Sequence, residues 1–128
     1  MLKKNIRLPD TELEIMQVIW SRPSPISTSQ IKVVLEETRP WNISALQTLL
    51  NRLIERGFLD SDKEGKNRIY KPLIEEERYL AMENKSFLEK LNGNSITRLV
   101  ASLYDSRAIS DQDLAELESF IERKTKGE

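Results

Sequence analysis

The stretch WNISALQTLLNRLIERGFLDSDKEGKNRIYKPL, residues 41–73, constrains the fold more than any other part of the sequence. Its first half has apolar side chains at helical spacing: Ile43, Leu46, Leu49, Leu50, Leu53 and Ile54. Gly57 follows, at a position where a helix end favours a residue in the left-handed conformation. Residues 58–63 and 67–73 are then short strand candidates, and EGKN is the turn between them. The stretch therefore predicts an amphipathic helix, a glycine stop and a β-hairpin.

Two further amphipathic helices precede this stretch. The segment LPDTELEIMQVIW forms the first, since Pro9 and Asp10 suit a first helical turn and the following SRPSP ends the helix. Ser27 or Thr28 caps the second helix, STSQIKVVLEET, and Asn42 caps the third. Three helices and a hairpin in this order are the parts of a winged helix-turn-helix, in which the hairpin is the wing. The predicted fold class is therefore mainly α with a small β-hairpin.

The third helix carries short polar side chains on the face opposite its apolar stripe, where a merely solvated helix usually carries Glu and Lys. Amides pair with adenine edges, hydroxyls bond to bases or phosphates, and Arg suits guanine or phosphate. The predicted DNA-reading residues on this face are Ser44, Gln47, Thr48, Asn51 and Arg52. In the hairpin, Lys63, Lys66 and Arg68 are predicted to attract the phosphates beside the groove. The alternative is that helix face and hairpin are simply solvated.

Cysteine and histidine are both absent from the 128 residues. Disulfides and cysteine-based metal sites are therefore excluded, and the commonest general base and zinc ligand is missing. The sequence predicts no enzyme, no catalytic residue, no metal and no cofactor, and no small-molecule ligand is evident. The first ten residues, MLKKNIRLPD, lack the apolar core of a signal peptide, and no stretch is long enough to span a membrane. A cytoplasmic protein is the expectation.

Charge differs between the two parts of the chain. Residues 1–71 hold 12 Lys and Arg against 9 Asp and Glu, whereas residues 72–128 hold 8 against 12. We predict a winged-helix DNA-binding domain over residues 1–73 and a three-helix dimerisation domain over residues 74–128. The second domain is too short for a good core of its own, and dimerisation supplies the missing burial. The alternative is a tail that folds back on its own winged helix. The apolar residues predicted to form the dimer contact are Phe87, Leu91, Ile96, Leu99, Val100, Leu103, Leu114, Leu117, Phe120 and Ile121.

These segments together resemble the penicillinase repressor family, the BlaI/MecI group of winged-helix regulators. LPDTELEIMQVIW is similar to the family's first helix, WNISALQTLLNRLIERGFL to its recognition helix and EGKNRIYKP to its wing. SITRLVASLY and ISDQDLAELESFI are similar to its dimerisation region. The resemblance implies a homodimeric repressor on a palindromic double-stranded DNA operator, controlling β-lactam resistance or a related stress operon. It also implies release by proteolysis, with a membrane-bound metalloprotease that senses β-lactams as a partner.

The chain departs from the family pattern at two places. The family's recognition helix typically begins Ser-Pro-Lys-Thr, and the matching residues here are Asn42, Ile43, Ser44 and Ala45. Asn42 and Ala45 therefore join the predicted DNA-binding residues, and a positive charge is lost. The Asn-Phe bond that is cut in the family matches Ser102 and Leu103, which makes this bond the candidate cleavage site. The residues also leave open a winged-helix module for protein–protein assembly without sequence-specific DNA binding.

Overall fold

The structure, a computed structural model, describes residues 7–127. The helices it contains are α1 (Asp10–Trp20), α2 (Thr28–Leu35), α3 (Ile43–Glu55), α4 (Glu76–Lys90), α5 (Ile96–Asp105) and α6 (Asp111–Thr125), with a 3-10 turn at Asn92–Asn94. The strands are β1 (Ile26–Ser27), β2 (Leu59–Glu64) and β3 (Asn67–Pro72). The predicted mainly helical fold with a winged helix-turn-helix is confirmed. Residues 1–6 lie outside the described residues. They belong to the N-terminal segment for which the sequence predicts that it is not a signal peptide.

Side-chain caps begin the two helices that lead to the wing. Ser27 accepts a hydrogen bond from the Gln30 backbone N–H at 3.2 Å, and the Gln30 side chain accepts one from the Ser27 N–H at 2.9 Å. Asn42 Oδ1 accepts from the backbone N–H groups of Ser44 and Ala45 at 2.8 and 3.1 Å. Both caps satisfy donors that a helix start leaves free. The predicted caps at Ser27 and Asn42 are confirmed.

Gly57 ends α3 with φ of 84°, in the left-handed region. The Phe58 N–H donates to the Leu53 carbonyl at 2.9 Å, and the Gly57 N–H donates to the Ile54 carbonyl at 3.0 Å. This pair of bonds is a Schellman motif, and the buried side chains of Phe58 and Leu53 supply its apolar contact. The glycine therefore turns the chain directly from α3 into the wing.

The sheet has three strands in the order β1–β3–β2, all antiparallel. The sequence predicts the β2–β3 hairpin but not β1, so the two-stranded prediction was incomplete. β1 has only two residues, and its pairing of Ile26 with Tyr70 joins positions far apart in the chain. A strand this short has no alternation from which a sequence pattern could be recognised.

The chain divides into two units, Met1–Glu83 and Asn84–Glu128, and α4 crosses the division. The core of the first unit contains Leu8, Ile15, Met16, Val18, Ile19, Ile26, Ile31, Leu35, Leu46, Leu50, Leu53, Phe58, Leu59, Tyr70, Ile74 and Tyr79. Ile43, predicted in the apolar stripe, is instead 44 % exposed: it is the first residue of α3, one turn before Leu46, where burial begins. The division falls beyond residue 73 since Ile74 and Tyr79 belong to this core.

Tyr79 anchors the start of α4 to the first unit. Its hydroxyl accepts a hydrogen bond from the Leu8 N–H at 3.0 Å, and its ring contacts Trp20 and Phe58 at centroid distances of 5.6 and 5.7 Å. Burial raises the pKa of the Tyr79 hydroxyl above its ordinary value. The Trp20 indole donates to the Ile74 carbonyl at 2.9 Å, which secures the segment between β3 and α4. Because of these contacts, the first unit includes the start of α4 as well as the hairpin.

In the second unit, α5 and α6 are joined by a tight turn. Arg107, with φ of 63°, takes the left-handed position of a second Schellman motif. The Ala108 N–H donates to the Leu103 carbonyl at 2.8 Å, and the Arg107 N–H donates to the Tyr104 carbonyl at 3.0 Å. Not one of residues 84–127 is buried. The second unit therefore has no interior of its own. Among residues 7–127, no helix combines the length and the apolar character that crossing a bilayer requires.

Candidate nucleic-acid interface

The two faces of α3 differ completely in exposure. Leu46, Leu50 and Leu53 are fully buried. The predicted DNA-reading residues are all exposed, together with Asn42 just before the helix: Asn42, Ser44, Ala45, Gln47, Thr48, Asn51 and Arg52. Since the helix is fixed along its apolar face, its polar face is presented to solvent as one stripe.

Some of these polar side chains are already engaged. Asn42 Oδ1 caps the helix, and the Thr48 hydroxyl donates to the Ser44 carbonyl at 3.0 Å. The Gln47 side chain makes no hydrogen bond within residues 7–127. Gln47 therefore retains its full donor and acceptor capacity, whereas Asn42 has its carbonyl oxygen committed to the cap.

The acidic residues of the β2–β3 hairpin all lie on one of its two faces. Residues directly opposite each other in an antiparallel pair share a face, and successive residues alternate. Lys63 lies opposite Arg68, and Ser61 lies opposite Tyr70. The acidic residues Asp60, Asp62 and Glu64 fall on the other face, together with Lys71. The hairpin as a whole is thus mixed in charge, but the charged residues on the face that contains Tyr70 are both basic.

Arg68 differs from the two predicted lysines of the wing. Lys63 and Lys66 are exposed near the β2–β3 turn, whereas Arg68 is half-buried. Its guanidinium donates to Ser61 Oγ at 3.1 Å and to Asn51 Oδ1 at 3.4 Å, and lies 5.6 Å from the centre of the Tyr70 ring. The structure therefore brings Arg68 to α3 and leaves the lysines at the outer end of the hairpin.

A buried ion pair, which the sequence analysis missed, joins α1 to the end of α3. Arg56 Nη1 lies 3.0 Å from Glu12 Oε2, and Glu12 is 1 % exposed. Within the described residues no well-directed hydrogen bond reaches this oxygen, so charge attraction dominates the contact. The signal in the sequence is the spacing of Glu12 to Ile15 and Met16, which puts the carboxylate on the apolar side of α1.

The turn between α2 and α3 is also held by charge. Arg39 donates to the Glu14 carboxylate at 2.9 and 3.3 Å, and its guanidinium stacks 4.5 Å from the centre of the Trp41 ring. These contacts join α1 to the residues that immediately precede the Asn42 cap. The start and the end of α3 are therefore both tied to α1.

An apolar groove of about 680 Å³ runs between α5 and α6 in the second unit. Six of the ten predicted dimer-contact residues line it, namely Ile96, Val100, Leu114, Leu117, Phe120 and Ile121. Leu99, Leu103 and Phe87 are half-buried outside the groove, and Leu91 is exposed. Tyr104, at one end, donates to Asp111 Oδ1 at 2.6 Å, and this hydrogen bond raises the pKa of the Tyr104 hydroxyl.

The candidate cleavage bond between Ser102 and Leu103 lies inside α5. The Ser102 side chain is exposed. The Leu103 carbonyl accepts hydrogen bonds from Ala108 N, Ser106 Oγ and Ile109 N at 2.8, 3.1 and 3.3 Å. The bond is therefore at the surface but held in helical conformation. In the part of the chain that the structure describes, no group of His, Cys, Asp and Glu could hold a metal ion.

The sequence model of the family described as penicillinase repressor matches residues 8–123. A penicillinase repressor of Bacillus licheniformis is 33 % identical over 121 residues, which cover 94 % of each chain. The solution structure of the DNA-binding domain of the repressor BlaI is 41 % identical, with a TM-score of 0.53, over 61 % of this chain and 94 % of that one. The solution structure of Bacillus licheniformis BlaI, as a monomer with the blaP half-operator, is 40 % identical, with a TM-score of 0.50, over 62 % and 94 %.

Proposed function

The chain belongs to the penicillinase repressor family, and from this premise we propose that it represses transcription by binding a palindromic operator as a homodimer. The family is one of transcriptional repressors and not of enzymes. The observation that carries the proposal is the exposed polar stripe of α3 beside the basic face of the wing. A half-operator bound to the related BlaI of Bacillus licheniformis supports it.

In this proposal α3 lies in the major groove, which is wide enough to admit a helix. Gln47 and Asn51 are one helical turn apart on the exposed stripe, so both side chains reach base edges together. Lys63 and Lys66 contact phosphates beside the groove and supply the electrostatic part of the affinity. The acidic residues of the paired strands lie on the face opposite Lys63.

The homodimer is proposed from the second unit. None of its described residues is buried, and six of its predicted contact residues line one open groove. A second copy that covers this groove supplies the burial that the unit lacks, and its two-fold axis matches the symmetry of a palindromic site. The dimer contact then contains the predicted residues of α5 and α6, with Phe87 and Leu91 beside them.

Mutations can separate the recognition of bases by α3 from the contacts of the wing with phosphates. We expect Gln47→Ala to reduce preference for the operator over random duplex by about 1–3 kcal/mol, since an amide pair with a base is lost. We expect Lys66→Ala to weaken operator and random duplex alike and to make the slope of log K against log salt less negative by about 0.9. Fluorescence anisotropy on promoter DNA at several salt concentrations measures both. Duplex binding that is absent, or that does not depend on salt, would instead indicate an assembly module.

Release by proteolysis is the proposed induction mechanism, with the bond between Ser102 and Leu103 as the site and a membrane-bound metalloprotease as the partner. The control of β-lactam resistance, or of a related stress operon, belongs to the same proposal. Its support is the family membership and the position of the bond inside α5, one of the two helices that line the groove. Cutting there separates α6, with the last three residues of α5, from the rest of the chain and removes apolar surface that the dimer needs.

We expect cells exposed to a β-lactam to accumulate a fragment that ends near residue 102 while the controlled genes are derepressed. Mass spectrometry of the protein from induced cells detects the fragment. Protein from cells that were not exposed to the β-lactam serves as the control, in which we expect the chain to stay intact. An intact chain alongside full derepression in induced cells would contradict the mechanism.

A further inference from the structure

Arg68 is held by three groups that belong to three parts of the first unit. Its guanidinium donates to Ser61 Oγ on β2 at 3.1 Å and to Asn51 Oδ1 on α3 at 3.4 Å. The Tyr70 ring of β3 lies 5.6 Å from the guanidinium carbon and is itself buried. Of the three basic residues predicted on the wing, Arg68 alone is half-buried. A guanidinium fixed in this way is poorly placed to follow a phosphate, whereas Lys63 and Lys66 are exposed.

The contact with Arg68 determines which end of the Asn51 amide faces outward. Arg has five N–H donors and no acceptor, so only the carbonyl oxygen of the amide can face it. The amide nitrogen, with its two donors, then points away from Arg68. Without Arg68 the two ends of the amide would exchange freely by rotation about the last side-chain bond.

We propose that Arg68 is a positioning residue for base recognition, which holds the Asn51 amide so that its N–H donors face the base edges. This inference rests on the proposed function, since it requires α3 to lie in the major groove. The outward donors match acceptors such as N7 and O6 of guanine, N7 of adenine or O4 of thymine. They oppose the N4 amino group of cytosine, because two donors then meet. Arg68 therefore affects sequence preference without contacting a base.

The test compares Arg68→Lys with Asn51→Ala, the double variant and Lys66→Ala as the matched control. The probe is the duplex that the wild-type protein enriches from a randomised library, together with its set of single base-pair changes. Lys keeps the positive charge but lacks the planar fork that reaches Ser61 and Asn51 together. We expect Arg68→Lys to lower the preference at one base pair of each half-site by about three- to tenfold, the effect of one lost hydrogen bond.

The double variant shows whether the two residues act as a unit. We expect Arg68→Lys to have no further effect on that preference once Asn51 is Ala, whereas independent residues give additive effects. Lys66→Ala should weaken all duplexes and change no base preference. Unfolding in urea is followed in parallel, and an unchanged transition shows that Arg68→Lys leaves the fold intact.

Two other outcomes are distinguishable. If the wild-type protein enriches no sequence from the library, the proposed function fails and this inference fails with it. If a sequence is enriched but Arg68→Lys keeps every base preference, or is additive with Asn51→Ala, the inference alone is overturned. Arg68 would then act as an ordinary cation of the wing.

Discussion

Replacing Ile96 and Ile121 by aspartate is expected to convert the protein to a monomer and to lower its affinity for a palindromic operator about 100-fold or more. The two side chains are 59 and 50 % exposed in the single chain, so the change costs the monomer little. In the proposed dimer, each aspartate would bury a charge without a partner, which strongly disfavours association. The affinity gained by linking two half-site contacts would then be lost.

Sedimentation velocity gives the oligomeric state. Titrations with a full palindrome and with a single half-site give the two affinities, and their ratio shows how much affinity the dimer gains by binding both half-sites. We expect the half-site affinity to stay unchanged, because the substitutions lie outside the first unit. Leu73→Asp is the matched control, since Leu73 is 55 % exposed and apolar but lies outside the groove. A double variant that remains dimeric would place the dimer contact elsewhere.

Arg56→Ala is expected to lower the free energy of unfolding by roughly 2–4 kcal/mol. The substitution leaves the Glu12 carboxylate buried without its charge partner, and uncompensated buried charge is costly. We do not expect the largest losses that are typical when one partner of a buried ion pair is removed. The Arg56 side chain is 36 % exposed, so water reaches part of the pair. The loss should also free the end of α3 and weaken operator binding.

Urea denaturation measures the effect. Lys32→Ala breaks a surface ion pair with Glu36 and serves as a control, for which we expect a much smaller loss of stability than for Arg56→Ala. Glu12→Met combined with Arg56→Met should recover most of the stability, since replacement of both charges by apolar side chains removes the desolvation cost. A loss below 1 kcal/mol for Arg56→Ala would show that water solvates Glu12 without it.

Local signals predicted much of this fold. The spacing of Leu46, Leu50 and Leu53 gave α3 its orientation, and Asn42 and Gly57 indicated its two ends. The wing followed from EGKN between two short strands. In each case the residues that determine the structure are neighbours in the chain, so their pattern is visible without knowledge of the rest of the fold.

The features that sequence reasoning missed depend on residues far apart in the chain. Glu12 finds its partner at Arg56, and the Tyr79 hydroxyl meets the Leu8 N–H across 71 positions. Arg68 was predicted as a wing cation by its residue type, but its contact with Asn51 depends on how the sheet packs beside α3. Such contacts follow from tertiary packing, and a single sequence does not show which distant residues meet.

The helical conformation around Ser102 and Leu103 has a consequence for timing. A protease acts on extended chain, so a bond inside α5 is cut only while the helix is transiently open. When reclosing is faster than cutting, the rate follows the open population, and each 1.4 kcal/mol of added helix stability slows cutting about tenfold. In the proposed release mechanism, the hydrogen bonds that converge on the Leu103 carbonyl would therefore delay cutting after a signal arrives. More protease shortens that delay in this regime, but only until cutting outpaces reclosing; the opening rate of α5, a property of this chain's own sequence, then sets the shortest possible delay.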